Sequence, residues 1–288
     1  MAHDTAGWTE RRLAVGDHVF ELAEQGEPSG RPVLLLHGFP QTHRCFDAVA
    51  ARLLADSATP LRLLAPDQRG YSPGARPTGV AAYAMDELVG DALAILDACG
   101  VEAADVVGHD WGAAIAWNLA ARHPERVRTL TAVSVPHAAA LTTAISQDAD
   151  QKERSAYIRL FRQPEKAEQV LLEDGAKRLR AIYDPLPAAV AEPHFAALSD
   201  PETLTAALNW YRAMTTAQES MALPKVTVPV TYVWSTADIA VGRMAASLCS
   251  RYVTGPYGFV ELEGISHWIP EQTPDALAAE ILAQVDRA

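Results

Sequence analysis

Short runs of mostly apolar residues recur along this chain, and they constrain its fold more than any other feature. Four of them cover residues 33–36, 61–65, 105–107 and 129–133. Such runs are typical of strands that lie buried on both faces of a parallel sheet. Residues 86–99 instead carry apolar side chains at helical spacing. The alternation predicts the α/β class, with a mostly parallel central sheet flanked by helices.

Both ends of the chain extend this pattern. Residues 11–15 and 18–23 are β-like runs separated by a Gly-Asp pair, which predicts a hairpin. Residues 228–234 and 259–262 predict two further strands, and the apolar residues after them have the spacing of a closing helix.

A helical, charged stretch interrupts the alternation between about residues 136 and 224. We therefore expect a core domain made of residues 1–135 and 225–288, with residues 136–224 inserted as a helical cap. Such a cap would lie over the carboxyl ends of the strands, where open α/β sheets bind their ligands.

The overall composition narrows the environment and the partners of the protein. A net charge of −12 over 288 residues, with no run of Lys or Arg, argues against nucleic-acid binding. The three cysteines lack Cys-x-x-Cys spacing, so we expect small buried side chains in a reducing compartment and no metal site. Residues 1–12 lack the apolar stretch of a signal peptide, and no segment approaches the length of a membrane span. We therefore expect a cytoplasmic monomer or homodimer that does not bind membranes.

Residues 106–113 combine a strand end and a helix start around one carboxylate. Gly108 and Gly112 flank Asp110 in a Gly-x-Asp-x-Gly pattern, which is the strand–turn–helix context in which some enzymes present a nucleophile. Attack by a carboxylate on a carbonyl would give only an anhydride, so Asp110 indicates substitution at a saturated carbon. The leaving group would be an epoxide oxygen or a halide. The alternative is that Asp110 only caps the helix that begins at Trp111.

An acid and a histidine follow in the chain order that such a nucleophile requires. Asp238 comes just after the predicted strand 228–234, and His267 comes just after 259–262. A histidine held by a carboxylate can take a proton from water and direct the hydroxide at an ester. Taken singly, Asp238 fits a turn or a cap, and His267 fits a surface loop. The order and context of all three residues favour a catalytic triad with Asp110.

The segment His-Gly-Phe-Pro at 37–40 follows the first buried strand. The backbone N–H groups of Phe39 and Trp111 would then form an oxyanion hole. Alternatively, the segment is a turn that only reverses the chain.

Two tyrosines in the predicted cap, Tyr157 and Tyr211, have the chemistry of an acid for epoxide opening. A phenol can donate to the alkoxide that forms when the ring opens. Otherwise each packs its ring and turns its hydroxyl to solvent. Trp111, Trp210 and Trp268 favour an apolar or aromatic pocket, and core packing explains them equally well.

Together these motifs resemble the soluble epoxide hydrolases of the α/β-hydrolase superfamily over nearly the whole chain. The matching pieces are His-Gly-Phe-Pro at 37–40, Gly-His-Asp-Trp-Gly at 108–112, Tyr157 before a Phe-x-x-Pro stretch, Asn-Trp-Tyr-Arg at 209–212, Asp238, and Gly-x-x-His-Trp at 264–268. The first two pieces are shared with haloalkane dehalogenases. Asn-Trp-Tyr-Arg and the paired tyrosines are more specific.

The resemblance implies the α/β-hydrolase fold and the conversion of an epoxide to a vicinal diol, with water as the second reactant and no metal or organic cofactor. It implies that Asp110 is the nucleophile, that His267 and Asp238 drive hydrolysis, and that Tyr157 and Tyr211 bind the epoxide oxygen. We expect a small apolar or aromatic substrate in contact with four side chains, Phe39, Trp111, Trp210 and Trp268.

One departure from the family pattern is Gln41, because many members have a glutamate there that helps to place the water. We expect His109 to be a packing and hydrogen-bonding neighbour of the site and not a second base.

Two other functions stay open. A haloalkane or haloacid dehalogenase would use the same triad and stabilise halide with N–H donors such as the Trp111 indole, but Phe39 offers no second donor and Tyr211 would lack a purpose. A non-catalytic small-molecule receptor would keep the pocket, but it has no need of a base–acid pair.

Overall fold

The computed structural model describes residues 7–287. Residues 1–6, which belong to the stretch in which we expected no signal peptide, and residue 288 lie outside the described residues. No helix in the described part of the chain is long and apolar enough to cross a membrane. The expected burial of the cysteines is confirmed for Cys45, Cys99 and Cys249.

Within residues 7–287, eight strands form one sheet in the order β1-β2-β4-β3-β5-β6-β7-β8. Their bounds are β1 (Thr9–Val15), β2 (His18–Gly26), β3 (Arg31–Leu36), β4 (Leu61–Pro66), β5 (Ala104–His109), β6 (Val127–Val133), β7 (Val230–Ser235) and β8 (Tyr257–Leu262). β1 pairs antiparallel with β2, and β2 pairs antiparallel with β4. All the other neighbours are parallel. The predicted hairpin and the mostly parallel sheet are confirmed.

Helices connect the strands and cover both faces of the sheet. Their bounds are α1 (Asp47–Asp56), α2 (Met85–Ala98), α3 (Trp111–Arg122), α4 (Ala138–Gln147), α5 (Ala149–Arg154), α6 (Ile158–Phe161), α7 (Lys166–Ala181), α8 (Ala188–Leu198), α9 (Pro201–Arg212), α10 (Ala217–Ala222), α11 (Arg243–Leu248), α12 (Ile269–Gln272) and α13 (Pro274–Val285). α7 is kinked at residues 173–176.

The packing of residues 33–36 in β3 shows why the central strands are apolar throughout. Leu34 and Leu36 point to one face of β3 and join the core beneath α2 and α3. Val33 and Leu35 point to the opposite face and join the core beneath α1 and α13. All four side chains are fully buried, so neither face of this strand tolerates the polar alternation of a half-exposed sheet.

The chain between β6 and β7 is helical throughout its regular structure, from α4 to α10. These helices contact the loops that follow the carboxyl ends of β3 and β4. The Tyr183 hydroxyl donates to the Pro40 carbonyl, and the Trp210 indole donates to the Arg69 carbonyl at 2.9 Å. The division into a core and a cap at residues 136 and 224 stays a prediction.

Candidate active site

Asp110 occupies a strained turn between β5 and α3. Its φ of 53° and ψ of −119° lie in a region that residues with a side chain rarely adopt. A Cβ at Gly112 would overlap with the Leu36 carbonyl on the neighbouring strand, so the tight turn requires glycine there. The Asp110 side chain makes no capping hydrogen bond to α3. The alternative of a simple helix cap is therefore wrong for this residue.

The two oxygens of the Asp110 carboxylate have different neighbours. Oδ1 accepts a hydrogen bond from the backbone N–H of Phe39 at 2.8 Å. Oδ2 lies 3.5 Å from Nε2 of His267. A Cβ at Gly38 would collide with this carboxylate, so the absence of a side chain at residue 38 is what lets the loop after β3 approach Asp110. The Trp111 amide, in the first turn of α3, belongs to the N–H groups that lack an intrahelical acceptor.

His267 lies between two carboxylates that follow neighbouring strands. Its Nδ1 lies 3.0 Å and 3.1 Å from the two oxygens of Asp238, which is fully buried in the loop after β7. Its Nε2 faces Asp110. The backbone N–H groups of Ala240 and Val241 also donate to Asp238, at 2.8 Å and 3.1 Å. The structure thus brings the three predicted triad residues together at the carboxyl ends of β5, β7 and β8.

The charges of this cluster control its titration. Burial disfavours the imidazolium of His267, but the Asp238 and Asp110 carboxylates outweigh it and hold the pKa of His267 well above its usual value. Burial likewise opposes ionisation of Asp238, yet the His267 charge and the hydrogen bonds it receives lower the pKa of that carboxyl. The resting site therefore favours a carboxylate–imidazolium pair.

Ser134 is a member of this cluster that sequence reasoning missed. It directly follows β6, with a left-handed φ of 68°, and it is fully buried. Its hydroxyl donates to Oδ2 of Asp238 at 2.6 Å and lies 2.9 Å from Nδ1 of His267. A serine after a buried strand carries no distinguishing pattern, so only the adjacency of β6 and β7 identifies it.

Tyr157 and Tyr211 face each other across the site, with ring centroids 6.0 Å apart. Tyr211 is buried, and its ring contacts Phe39 and Trp111 at 5.3 Å and 5.2 Å. Tyr157 is 37% exposed, and it lines the same cavity as Tyr211. Burial and the Asp110 charge raise the pKa of Tyr157, and burial with the neighbouring Tyr157 raises the pKa of Tyr211. Both phenols therefore keep their protons at neutral pH and can act as donors.

A cavity of about 360 Å³ contains Asp110 and both tyrosines in its wall. The expected pocket residues Trp111 and Trp210 line it as well. Its wall is otherwise largely apolar, with contributions from Val135, Leu141, Ile145, Ile158 and Met214.

Two of the expected pocket residues lie elsewhere. Trp268 is not in the wall of this cavity, because its buried ring packs behind His267 and stacks on Tyr183 with centroids 5.7 Å apart. Phe39 does not line the cavity either, because its ring packs against Tyr211 and Phe161. Phe39 and Trp268 thus lie outside the wall of this cavity, and their contact with a substrate stays a prediction.

A row of buried polar groups lies behind the triad. His109 places Nε2 at 2.9 Å from the backbone carbonyl of His267 and Nδ1 at 2.8 Å from Oε1 of Gln41. The amide nitrogen of Gln41 hydrogen-bonds Glu271 in α12. Burial raises the pKa of Glu271 to about 8. His109 is thus a hydrogen-bonding neighbour, as expected, whereas sequence reasoning missed Glu271.

No group of three or more His, Cys, Asp or Glu side chains among residues 7–287 is arranged to hold a metal ion.

Comparison with known proteins gives consistent relatives. The family model described as alpha/beta hydrolase fold matches residues 31–165. An AB hydrolase superfamily protein of Bacillus subtilis is 31% identical over 88% of this chain and 89% of its own length. Epoxide hydrolase A of Mycobacterium tuberculosis is 29% identical over 95% of this chain and 96% of its own. The crystal structure of an epoxide hydrolase from Vigna radiata superposes with a TM-score of 0.85 at 25% identity, covering 99% of this chain and 100% of that one.

Proposed function

Because the chain belongs to the α/β-hydrolase superfamily, we propose that it is an epoxide hydrolase, which converts an epoxide into a vicinal diol. The observation that carries this proposal is one cavity wall that holds the Asp110 carboxylate together with Tyr157 and Tyr211. A carboxylate can displace an oxygen from saturated carbon, and a phenol can protonate the alkoxide that leaves. The names of the relatives that are epoxide hydrolases support the same activity.

In the proposed ring-opening step, Oδ2 of Asp110 attacks one epoxide carbon, because Oδ1 is already held by the Phe39 amide. The new carbon–oxygen bond forms an ester as the ring carbon–oxygen bond breaks. The released alkoxide takes a proton from Tyr157 or Tyr211, which is left as a phenolate. The two hydroxyls hold the ring oxygen on the side away from the attacking carboxylate.

In the proposed hydrolysis step, His267 takes a proton from water and the hydroxide adds to the ester carbonyl carbon. Ester formation has removed the Asp110 charge that helps to keep the pKa of His267 high, so the imidazolium passes its proton to the tyrosine phenolate and becomes the free base that this step needs. The amides of Phe39 and Trp111 stabilise the oxyanion. Collapse releases the diol and restores the Asp110 carboxylate, and the proton taken from water stays on His267, which regenerates the resting carboxylate–imidazolium pair.

The cavity supports a small apolar or aromatic epoxide as substrate. Its volume of about 360 Å³ and its apolar wall favour a compact substrate with few polar groups. We propose that residues 136–224 act as a cap that carries both tyrosines to the substrate. Since the three thiols are unpaired and buried, we also propose that the protein works in the cytoplasm.

A single-turnover experiment in oxygen-18 water tests the covalent route. With enzyme in excess over an aryl epoxide, the diol should carry only unlabelled oxygen, and mass analysis should find the label in the peptide that contains Asp110. The peptide with Asp238 is the matched control and should stay unlabelled. Label in the first diol, with none in the Asp110 peptide, would show direct attack by water and refute the ester.

The same preparation separates this proposal from its rivals. A dehalogenase would release halide from haloalkanes or haloacids, and a receptor would retain the epoxide unchanged. Asp110→Asn should abolish diol formation, whereas unchanged turnover would eliminate the proposed chemistry.

A further inference from the structure

The row of polar groups behind the triad contains a buried acid, Glu271, that takes no part in the proposed mechanism. Glu271 is only 4% exposed in its side chain, and within the described residues its Oε2 has no hydrogen-bond partner. Its Oε1 bonds to the side-chain amide of Gln41. Gln41 and His109 are fully buried as well. The side chains of the row therefore have little contact with solvent, and their donors must match their acceptors.

Counting protons along the row leaves two arrangements. Nε2 of His109 faces the carbonyl of His267, which can only accept, so Nε2 must carry a proton. In the first, the Gln41 oxygen faces Nδ1, so Nδ1 also needs a proton and His109 is an imidazolium. The Gln41 nitrogen then donates to Glu271, which accepts as an anion. In the second, the oxygen and nitrogen of the Gln41 amide exchange places. The nitrogen then donates to Nδ1 of a neutral His109, and the oxygen needs a donor. Glu271 can be that donor only as a carboxylic acid.

The surroundings of His109 disfavour the charged arrangement. Burial and the neighbouring His267 ring, whose centroid is 4.9 Å away, lower the pKa of His109 to about 4. The carboxylates of Asp110 and Asp238 act in the opposite direction and do not overcome this. His109 is therefore a neutral imidazole at physiological pH.

The surroundings of Glu271 favour its protonated form. Burial is the main cause of its raised pKa, and the Asp47 carboxylate adds to it, whereas Gln41 and His267 work against it. His194 places Nε2 at 3.7 Å from Oε1 of Glu271, but burial lowers the pKa of His194 to about 3, so this ring brings no positive charge. Gln41 and His194, the two side chains that lie next to Oε1 of Glu271, are thus both neutral.

We propose that Glu271 is a positioning residue that acts as a neutral carboxylic acid, donating to the Gln41 amide oxygen so that the amide nitrogen donates to His109. His109 is thereby fixed as the tautomer whose only N–H holds the backbone carbonyl of His267. The consequence for catalysis, a base held in place with no second positive charge beside it, rests on the proposed function. The protonation states themselves do not.

Spectroscopy of the substrate-free protein tests the protonation states directly. Infrared difference spectra between the wild type and Glu271→Gln at neutral pH should contain the carbonyl band of one protonated carboxyl group. Glu24→Gln is the matched control, because burial opposes the ionisation of Glu24 but the hydrogen bonds from Arg62 and Arg11 prevail and lower its pKa, so that it should contribute only carboxylate bands. Nitrogen-15 NMR of the wild type should find His109 protonated at Nε2 and bare at Nδ1. A doubly protonated His109, or a missing acid band, overturns the proposal whether or not the protein opens epoxides.

Kinetics with rescue test the positioning role. Glu271→Leu fills a similar volume without a donor and should lower kcat about tenfold, the expected effect of one lost buried hydrogen bond in a network. Glu271→Gln should restore most of that loss, since its amide nitrogen can donate to Gln41 as the acid does. A leucine variant as active as the wild type, or a glutamine variant as impaired as the leucine variant, would remove Glu271 from this role.

Discussion

The buried Glu271 carboxyl should make the protein lose stability as the pH rises, and Glu271→Gln should abolish that loss. Burial moves the pKa of this group from 4.5 to about 8. Between these values the folded state keeps a proton that the unfolded state releases, so stability falls as pH increases. Each pH unit corresponds to about 1.4 kcal/mol, so the difference in unfolding free energy should reach about 5 kcal/mol over this window. Below pH 4.5 Glu271 is protonated in both the folded and the unfolded state, so it no longer makes stability depend on pH.

Urea denaturation of the wild type and Glu271→Gln, followed by circular dichroism at several values between about pH 2 and about pH 9, measures this difference. The wild type should lose stability relative to the variant up to about pH 8 and then run parallel to it. Glu24→Gln is a control of opposite sign. Burial opposes ionisation of Glu24, but the hydrogen bonds from Arg62 and Arg11 prevail and lower its pKa. The wild type should therefore gain stability over that variant as the pH rises from strongly acidic values.

Parallel stability curves for the wild type and Glu271→Gln would refute the reasoning, because they would mean that Glu271 has the same proton affinity in both states. A difference that grows in favour of the wild type with pH would indicate an anion stabilised by His109, the charged arrangement of the row.

The remaining predictions concern the triad and the two tyrosines. Ser134→Ala should lower kcat between about tenfold and about a hundredfold with little change in KM, because a hydrogen bond to a charged group is worth about 1.5–3 kcal/mol. Ser235→Ala, whose hydroxyl donates to the uncharged Ser266 carbonyl, is the matched control, and equal effects of the two variants would contradict the assignment. Tyr211→Phe should slow ester formation in rapid-mixing experiments, and the double variant with Tyr157→Phe should nearly abolish it. Full activity in the double variant would exclude the phenols from ring opening.

The sequence was sufficient to predict the sheet because its central strands are buried on both faces. Leu34 and Leu36 belong to one core and Val33 and Leu35 to the other, which leaves an apolar run that needs no knowledge of the fold to recognise. The places of the three proposed triad residues could also be predicted, because Asp110, Asp238 and His267 each follow a predicted strand closely in the chain.

Residues whose role depends on tertiary contacts could not be predicted in this way. Ser134 reaches Asp238 because β6 lies beside β7, and Glu271 reaches Gln41 because it lies in the short helix α12. Trp268, which lies outside the wall of the cavity, illustrates the same dependence on tertiary contacts. Its aromatic character was visible in the sequence, but the side of the ring that meets Tyr183 was not.

The position of β8 has a consequence for how the protein responds to mild stress. Among residues 7–287, this strand lies at the border of the sheet and pairs only with β7, and the loop that follows it carries His267. A border strand can detach while the interior remains folded. Reversible detachment of β8 would displace His267 and stop the reaction while the rest of the protein stays folded. Under mild stress, activity should therefore fall before circular dichroism detects unfolding.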